Sequence, residues 1–171
     1  AGYPFSRHSL SIAPIAGSTE AMQRDDWYSS SRNAKNLAPP EAIGRYAAQR
    51  TLARLDARCL STRKCPVLFE APLACGLLGS FVQAASGGAL YRDASFLKGK
   101  LGKQIFSKHL SIEEDPFIEG EVGSAEFDDE AVSTRARQVV QAGVLQGYFL
   151  SSYTARKLKM ATTGNAGGSH N

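Results

Sequence analysis

Residues 66–88 read PVLFEAPLACGLLGSFVQAASGG and contain a single charged residue, a glutamate. The apolar run Pro66–Glu70 predicts a buried strand, which leads into a helix expected over about Leu73–Ala85 and ended by the pair Gly87-Gly88. A membrane-spanning helix needs about 20 mainly apolar residues, whereas this segment is interrupted by proline, serine, glutamine and several glycines. We therefore interpret it as a buried helix of a soluble protein, and we expect no membrane partner.

Strands and helices are expected on both sides of this segment. Ser9–Ala13 alternates polar and apolar residues, and Met22–Ser29 can return beside it as the second strand of a hairpin. Pro39-Pro40-Glu41 predicts the start of a helix that continues to Leu55, since proline and an acidic residue both favour a first helical turn. The later elements are expected to be a strand, a second hairpin and a short helix, at Leu110–Glu113, Arg137–Leu150 and Ser152–Leu158. The predicted fold class is α+β, with mixed and antiparallel strands, hairpins and packed helices.

The helix from Pro40 to Leu55 has one apolar face and one basic face. Its apolar residues recur at helical spacing and are expected to pack inward: Ile43, Ala47, Leu52 and Leu55. Its basic side chains are expected to remain in solvent: Arg45, Arg50, Arg54 and Arg58. The short basic connector Leu60–Lys64 then predicts a domain boundary, so the chain is expected to contain two partial domains, residues 1–60 and 61–171.

Composition restricts the class of protein. Of the 171 residues, 43% are hydrophobic, which is enough to bury a core and excludes wholesale disorder. The formal net charge of +4 is small for a protein that binds phosphate backbones, so we do not expect a nucleic-acid partner. Residues 113–130 hold nine acidic residues and no basic one, a pattern that suits a partner surface or a lined cavity as well as simple solvated faces. Three cysteines without a signal peptide predict a reduced, cytoplasmic location.

No catalytic motif is evident in the residues themselves. His8, His109 and His170 are scattered, and none begins the His-Glu pair of a zinc peptidase helix. The cysteines lack the spacing of a zinc knuckle, and the chain has no Gly-x-Ser-x-Gly elbow. The glycine-rich tail is not a phosphate loop; Gly167, Gly168, His170 and Asn171 are instead expected to form a turn or a loop beside a substrate cavity.

Six segments, in order along the chain, resemble the TldD/TldE family and are most similar to its TldE branch, also called PmbA. These segments are Met22–Asp25, Ala48–Leu55, Gly99–Ile105, Phe127–Glu130, Ser152–Leu158 and Thr163–Asn171. Family members are much longer than this chain. The resemblance therefore implies an internal piece, with residues 1–60 ending a central domain and residues 61–171 beginning a C-terminal domain.

The resemblance also implies a function. The family forms pairs of related subunits that act as a cytoplasmic metalloprotease on peptides and unfolded protein segments, and the TldD subunit carries the metal on a His-Glu-x-x-x-His helix. Alignment through Gly76–Val82 places Glu70 and Cys75 at the two ligand positions and Ala71 at the position of the catalytic base. The resemblance thus implies a non-catalytic partner without a metal or cofactor of its own, paired with a zinc-bearing TldD-like subunit. The alternative, implied by an older family name, is a DNA gyrase-associated or nucleic-acid-binding regulator.

Overall fold

Contacts within the chain separate Gly2–Pro66 from Val67–Asn171. The computed structural model describes residues 2–171, and both units combine helices with antiparallel strands. The predicted α+β class is therefore confirmed. No helix within residues 2–171 has the length and apolar character needed to cross a bilayer.

Two antiparallel ladders form the strands of the first unit. β1 (His8–Ile12) pairs with β4 (Trp27–Ser31), with Ile12 opposite Trp27. Nearer the turn, β2 (Ile15–Ala16) pairs with β3 (Gln23–Arg24). The predicted hairpin is confirmed, although its second strand is divided into two short segments.

The first helix, α1, spans Pro40–Leu52 and packs against β1 and β4. It buries Ile43, Ala47 and Thr51, which are four residues apart and therefore share one face. Thr51 satisfies its hydroxyl by donating to the carbonyl oxygen of Ala47 at 2.9 Å. The prediction that Leu52 is buried is wrong, because this residue ends the helix and is 57% exposed.

The basic face of α1 is only partly in solvent. The side chain of Arg50 is 19% exposed, and its guanidinium lies 5.1 Å from the centre of the Trp27 ring. Its Nε lies 3.4 Å from Oδ2 of Asp25, which Arg54 also approaches at 3.6 Å. The prediction that Arg50 stays outside is therefore wrong, because cation–π contact and an opposite charge hold its guanidinium against the unit.

The second unit is built around a three-stranded antiparallel sheet. β5 (Ile112–Glu114) is an edge strand that pairs with β6 (Arg137–Gln141), and β6 pairs with β7 (Val144–Leu145). The β6–β7 pair confirms the second predicted hairpin, with a shorter final strand. Three helices belong to the same unit: α2 (Ala71–Ala84), α3 (Gly87–Tyr91) and α4 (Ser152–Leu158).

The core of this unit lies where the end of α2, α3, α4 and the sheet meet. Its buried side chains include Leu90, Leu97, Val139, Val140, Leu145 and Leu150. Gly87 permits the close approach of α3 to α4, since a Cβ there would lie only 2.5 Å from the Cβ of Thr154. The predicted bounds of α4 are confirmed, and Ser151 caps it by accepting a hydrogen bond from the backbone N–H of Thr154 at 3.2 Å.

Three predictions for the segment around α2 are wrong. Pro66–Glu70 is irregular and mostly exposed, and no strand within residues 2–171 pairs with it. The pair Gly87-Gly88 begins α3 instead of ending α2. Only Phe81 of α2 is buried, while leucines on its earlier turns are exposed, such as Leu73 at 59% and Leu77 at 55%. An apolar composition indicates that a helix can be buried, but it does not show whether another element of the chain packs against that helix.

Candidate functional site

The C-terminal segment folds around one buried carboxylate, that of Glu114 on β5. This residue is 3% exposed. Its Oε2 accepts a hydrogen bond from Nε of Arg137 at 2.7 Å. Its Oε1 accepts from Nδ2 of Asn165 at 2.7 Å and from the backbone N–H of His170 at 2.9 Å. The buried charge is thus compensated by a cation and held in place by hydrogen bonds to both oxygens.

Arg137 joins this carboxylate to the rest of the unit. Its Nη1 donates to the carbonyl oxygen of Tyr148 at 2.9 Å, and its Nη2 donates to Oδ1 of Asn165 at 3.1 Å. The guanidinium also lies 5.1 Å from the centre of the Phe149 ring. Three nitrogen atoms therefore bond in three directions, which fixes the orientation of Glu114 and of the loop that carries Asn165.

A second buried carboxylate, that of Asp128, holds the start of the same loop. Its Oδ1 accepts hydrogen bonds from the backbone N–H groups of Glu130 and Val132, both at 2.9 Å. Its Oδ2 accepts from the backbone N–H of Ala166 at 2.9 Å. Backbone donors thus surround a side chain that is 5% exposed.

The last two residues are held by specific contacts. Oδ1 of Asn171 accepts from the backbone N–H of Gly123 at 2.8 Å, and its backbone oxygen accepts from the N–H of Asp115 at 3.0 Å. Nε2 of His170 lies 2.9 Å from the carbonyl oxygen of Gly164. Because a carbonyl only accepts, Nε2 carries the hydrogen in this contact. The glycine-rich tail is therefore an ordered loop.

A cavity of about 230 Å³ lies between α2, β5 and this loop. Cys75, Leu78, Gly79 and Val82 of α2 line one wall, and Ile112, Glu113 and Glu114 of β5 line another. Val139 and Phe149 add apolar surface, and Ser169, His170 and Asn171 complete the lining. The cavity thus combines apolar walls with a small number of polar groups, the usual composition of a ligand site.

The structure brings together some of the predicted site residues. Cys75, His170 and Asn171 line the same cavity. Glu70 precedes the first turn of α2, Ala71 is the first residue of that helix, and neither lines the cavity. Gly167 and Gly168 lie outside the lining as well, Gly167 against the carboxylate of Asp129. The functional roles that the family resemblance gives these positions stay predictions.

The two aligned ligand positions offer a carboxylate, that of Glu70, and a thiol, that of Cys75, while Ala71 at the aligned base position offers only a methyl group. Zinc in proteins takes three or four protein ligands, so these positions do not make a zinc site by themselves. Within residues 2–171, no group of three His, Cys, Asp or Glu side chains is arranged to hold a metal ion.

Sequence reasoning missed the residues that organise the site, namely Glu114, Arg137, Asn165 and Asp128. Two signals were present in the sequence: the stretch from residue 113 to residue 130, which contains no basic residue, and the family segments Phe127–Glu130 and Thr163–Asn171, which contain Asp128 and Asn165. Two carboxylates of the acidic stretch, Glu114 and Asp128, are buried. Such a stretch indicates that some carboxylates need partners, but it does not identify those partners.

Comparisons with known proteins identify the family of this chain. The sequence model of the PmbA/TldA metallopeptidase C-terminal domain matches residues 62–171, and that of the PmbA/TldA metallopeptidase central domain matches residues 1–55. Metalloprotease PmbA of Escherichia coli O157:H7 is 45% identical over 99% of this chain and 38% of its own length. The Metalloprotease PmbA homolog of Haemophilus influenzae is 42% identical over the same shares.

Solved structures are similar as well. A proposed modulator of DNA gyrase from Bacteroides thetaiotaomicron superposes with a TM-score of 0.88 at 30% identity, over 96% of this chain and 37% of that one. TldE of Thermococcus kodakarensis superposes with a TM-score of 0.66 at 22% identity, over 96% of this chain and 38% of that one, which shows a shared fold.

Fold, matched domains and relatives together show two partial domains of a type that occurs in metallopeptidases. This chain belongs to the PmbA/TldD family. The chain spans 38% of the length of the PmbA relatives that it matches.

Proposed function

We propose that this chain is part of a TldE/PmbA-like subunit of a heteromeric cytoplasmic metalloprotease that acts on peptides and unfolded protein segments. In that assembly it is the non-catalytic partner, which shapes the substrate cavity and docks a TldD-like subunit that holds the zinc. The observation that carries the proposal is the residue at the aligned base position, Ala71, the first residue of α2.

Zinc-dependent proteolysis needs a carboxylate that takes a proton from the metal-bound water as it attacks the peptide carbonyl. Ala71 can neither accept a proton nor orient a water molecule. Glu70 is one residue away, outside the lining of the cavity. The aligned base position therefore lacks the group that performs this step.

What the chain does supply is a fixed cavity wall. Arg137 and Asn165 hold Glu114 on β5, and the backbone of His170 bonds to the same carboxylate. These contacts keep the loop Ser169–Asn171 against the cavity without the help of a metal. A wall that is rigid before substrate arrives lowers the conformational entropy lost on binding, which suits a subunit that positions a peptide for its partner.

A fluorogenic peptide assay tests the proposal. We expect no cleavage by this chain, no cleavage by a version extended to the length of its PmbA relatives, and cleavage when the extended version is mixed with a TldD-like subunit that has an intact His-Glu-x-x-x-His helix. A chelator should abolish the activity of the mixture. Chelator-sensitive cleavage by the isolated chain that is lost in Glu70→Gln would contradict the non-catalytic role.

A second candidate function comes from two similar solved structures, from Bacteroides thetaiotaomicron and Thermotoga maritima, which are described as proposed modulators of DNA gyrase. Such a regulator could act through DNA or through gyrase itself. A salt titration of DNA binding tests the first route, because phosphate contacts release counterions and make affinity fall steeply with salt. Tight, salt-sensitive DNA binding would favour the regulator over the protease subunit.

A further inference from the structure

We propose that Cys59 and Cys65 form a reversible disulfide, with glutathione disulfide as the oxidant. Both cysteines lie in the joining segment, residues 57–69, which runs from the end of the first unit into the second. No residue of this segment is buried, so neither unit uses it in its core. The inference does not depend on the proposed function.

The joining segment leaves both thiols accessible and its backbone able to bend. Cys59 and Cys65 are exposed thiols without a disulfide partner. Residues 57–69 form no helix, strand or turn, and within residues 2–171 no hydrogen bond between backbone groups involves them. A disulfide needs its two Cα atoms about 4.4–6.8 Å apart. The segment can adopt that separation without breaking regular structure.

The loop to be closed is short. Five residues separate the two cysteines. In the middle of this loop Arg63 already folds back on Ser61, since its Nε donates to the carbonyl oxygen of Ser61 and its Nη2 donates to Oγ, both at 3.3 Å. A short flexible loop presents one thiol to the other at an effective concentration of roughly millimolar, which favours a bond within the chain over a bond between chains.

The charges of the segment favour an anionic oxidant. Arg58, Arg63 and Lys64 are exposed, and residues 57–69 contain no acidic residue. Glutathione disulfide carries more carboxylate than ammonium groups and is therefore an anion, which a basic segment attracts. The third cysteine, Cys75, lies in a stretch without charge, because residues 71–91 hold no acidic and no basic residue. It serves as an internal control for the effect of charge.

The reaction is two successive thiol–disulfide exchanges. One cysteine thiolate attacks a sulfur of glutathione disulfide, the bond between the two glutathione sulfurs breaks, and one glutathione leaves as a thiolate that takes a proton from water. The other cysteine loses its proton and attacks the protein sulfur of the mixed disulfide, which releases the second glutathione. The two cysteines thus lose two electrons and two protons, and glutathione disulfide is reduced to two thiols.

Oxidation shortens the reach of the joining segment. From Cys59 to Cys65 an extended chain spans at most about 20 Å. A disulfide holds the two Cα atoms about 5.5–6 Å apart, so it removes up to roughly 14 Å. Disulfides in a reducing compartment are transient. The length of the segment therefore depends on the ratio of oxidised to reduced glutathione.

The first experiment identifies the bond. The reduced 171-residue chain is incubated with glutathione disulfide, its remaining thiols are alkylated, and intact and tryptic masses are measured. We expect the parent chain and Cys75→Ser to form a disulfide between Cys59 and Cys65. Cys59→Ser and Cys65→Ser should each stop at the mixed disulfide with one glutathione. An excess of reduced glutathione should restore both thiols.

The second experiment tests the role of charge. Cys59 and Cys65 should react about tenfold faster than Cys75, and about 0.5 M sodium chloride should reduce this difference. The double variant Arg58→Gln, Lys64→Gln should slow the reaction about threefold. A matched control removes one arginine and one lysine of the same unit outside the joining segment, Arg7→Gln with Lys35→Gln, and should react at the rate of the parent chain.

Disulfide-linked dimers in place of the intramolecular bond, a bond that includes Cys75, or equal rates at all three cysteines would each overturn the inference. The same disulfide should form in a version extended to the length of the PmbA relatives, and its absence there would also overturn the inference. Peptide cleavage by the reconstituted pair does not enter these measurements, so the protease-subunit function stands or fails separately.

Discussion

Nε of Arg137 lies 2.7 Å from Oε2 of Glu114, and the two side chains are 13% and 4% exposed. A buried carboxylate that loses its cation keeps its desolvation cost without the compensating attraction. We expect Arg137→Met to lower the free energy of unfolding by about 3–5 kcal/mol, measured by urea denaturation. Arg135→Met is the control; its guanidinium is exposed, so its effect should stay within about 0.5 kcal/mol. Equal losses in the two variants would show that the buried pair has no special role.

Gly123 makes room for the last residue of the chain. A Cβ at this position would lie 2.5 Å from Oδ1 of Asn171, so Gly123→Ala must displace that side chain. We expect a loss of about 1–3 kcal/mol in the free energy of unfolding. The amide of Asp115 should exchange faster with deuterium, because it donates to the backbone oxygen of Asn171. Gly76→Ala, at an open helical position, should instead stabilise by about 0.5–1 kcal/mol. If the Asp115 amide of Gly123→Ala exchanged at the rate of the parent chain, the expected displacement of Asn171 would be refuted.

Two apolar residues of α1 differ sharply in burial. Ile43 is 2% exposed and Leu52 is 57% exposed. Ile43→Ala should cost about 2–5 kcal/mol of unfolding free energy, since it leaves a cavity in the first unit. Leu52→Ala should cost less than about 1 kcal/mol. The free energy of unfolding of the two variants, measured by thermal or urea denaturation, tests this difference. A larger loss for Leu52→Ala than for Ile43→Ala would show that the assignment of the buried face of α1 is wrong.

Asp25 is expected to make the stability of the first unit depend on pH. The backbone N–H of Asp26 holds the pKa of the Asp25 carboxyl below its ordinary value of 3.8, and the charges of Arg50 and Arg54 act in the same direction. A lowered folded-state pKa stabilises the fold above the unfolded-state value, and this contribution is lost as pH falls through the folded-state value. Asp25→Asn should therefore unfold at lower urea than the parent chain at pH 7 and approach it at the acid end of a titration. A difference that stays constant from pH 7 into that range would contradict this origin.

Local patterns in the sequence predicted much of the fold. Four features depend only on residues that are neighbours in the chain, so the sequence alone is enough to predict them. They are the strand at Ser9–Ala13, the Pro-Glu start of α1, the Ala142-Gly143 turn and the bounds of α4. The exposure of α2 could not be predicted in the same way. Its leucines indicate that the helix can be buried, but burial depends on which other element packs against it.

The candidate site was predicted only in part, for a related reason. Cys75 and His170 were selected separately, and the structure shows that they line one cavity. The Glu114–Arg137 and Arg137–Asn165 bonds join residues 23 and 28 positions apart. No short-range pattern connects such residues, and a buried carboxylate looks the same in the sequence as a solvated one. The shape of the site therefore had to come from the folded chain.

The exposed leucines of α2 affect how the purified chain behaves at the bench. Leu73 and Leu77 present apolar surface to water, and surfaces of this kind bring molecules together as concentration rises. Sulfate and phosphate salts strengthen apolar association, so ammonium sulfate should precipitate the chain at a lower concentration than a Leu73→Gln, Leu77→Gln double variant. Dilute samples in low salt are therefore the proper starting point for every titration and unfolding experiment on this molecule.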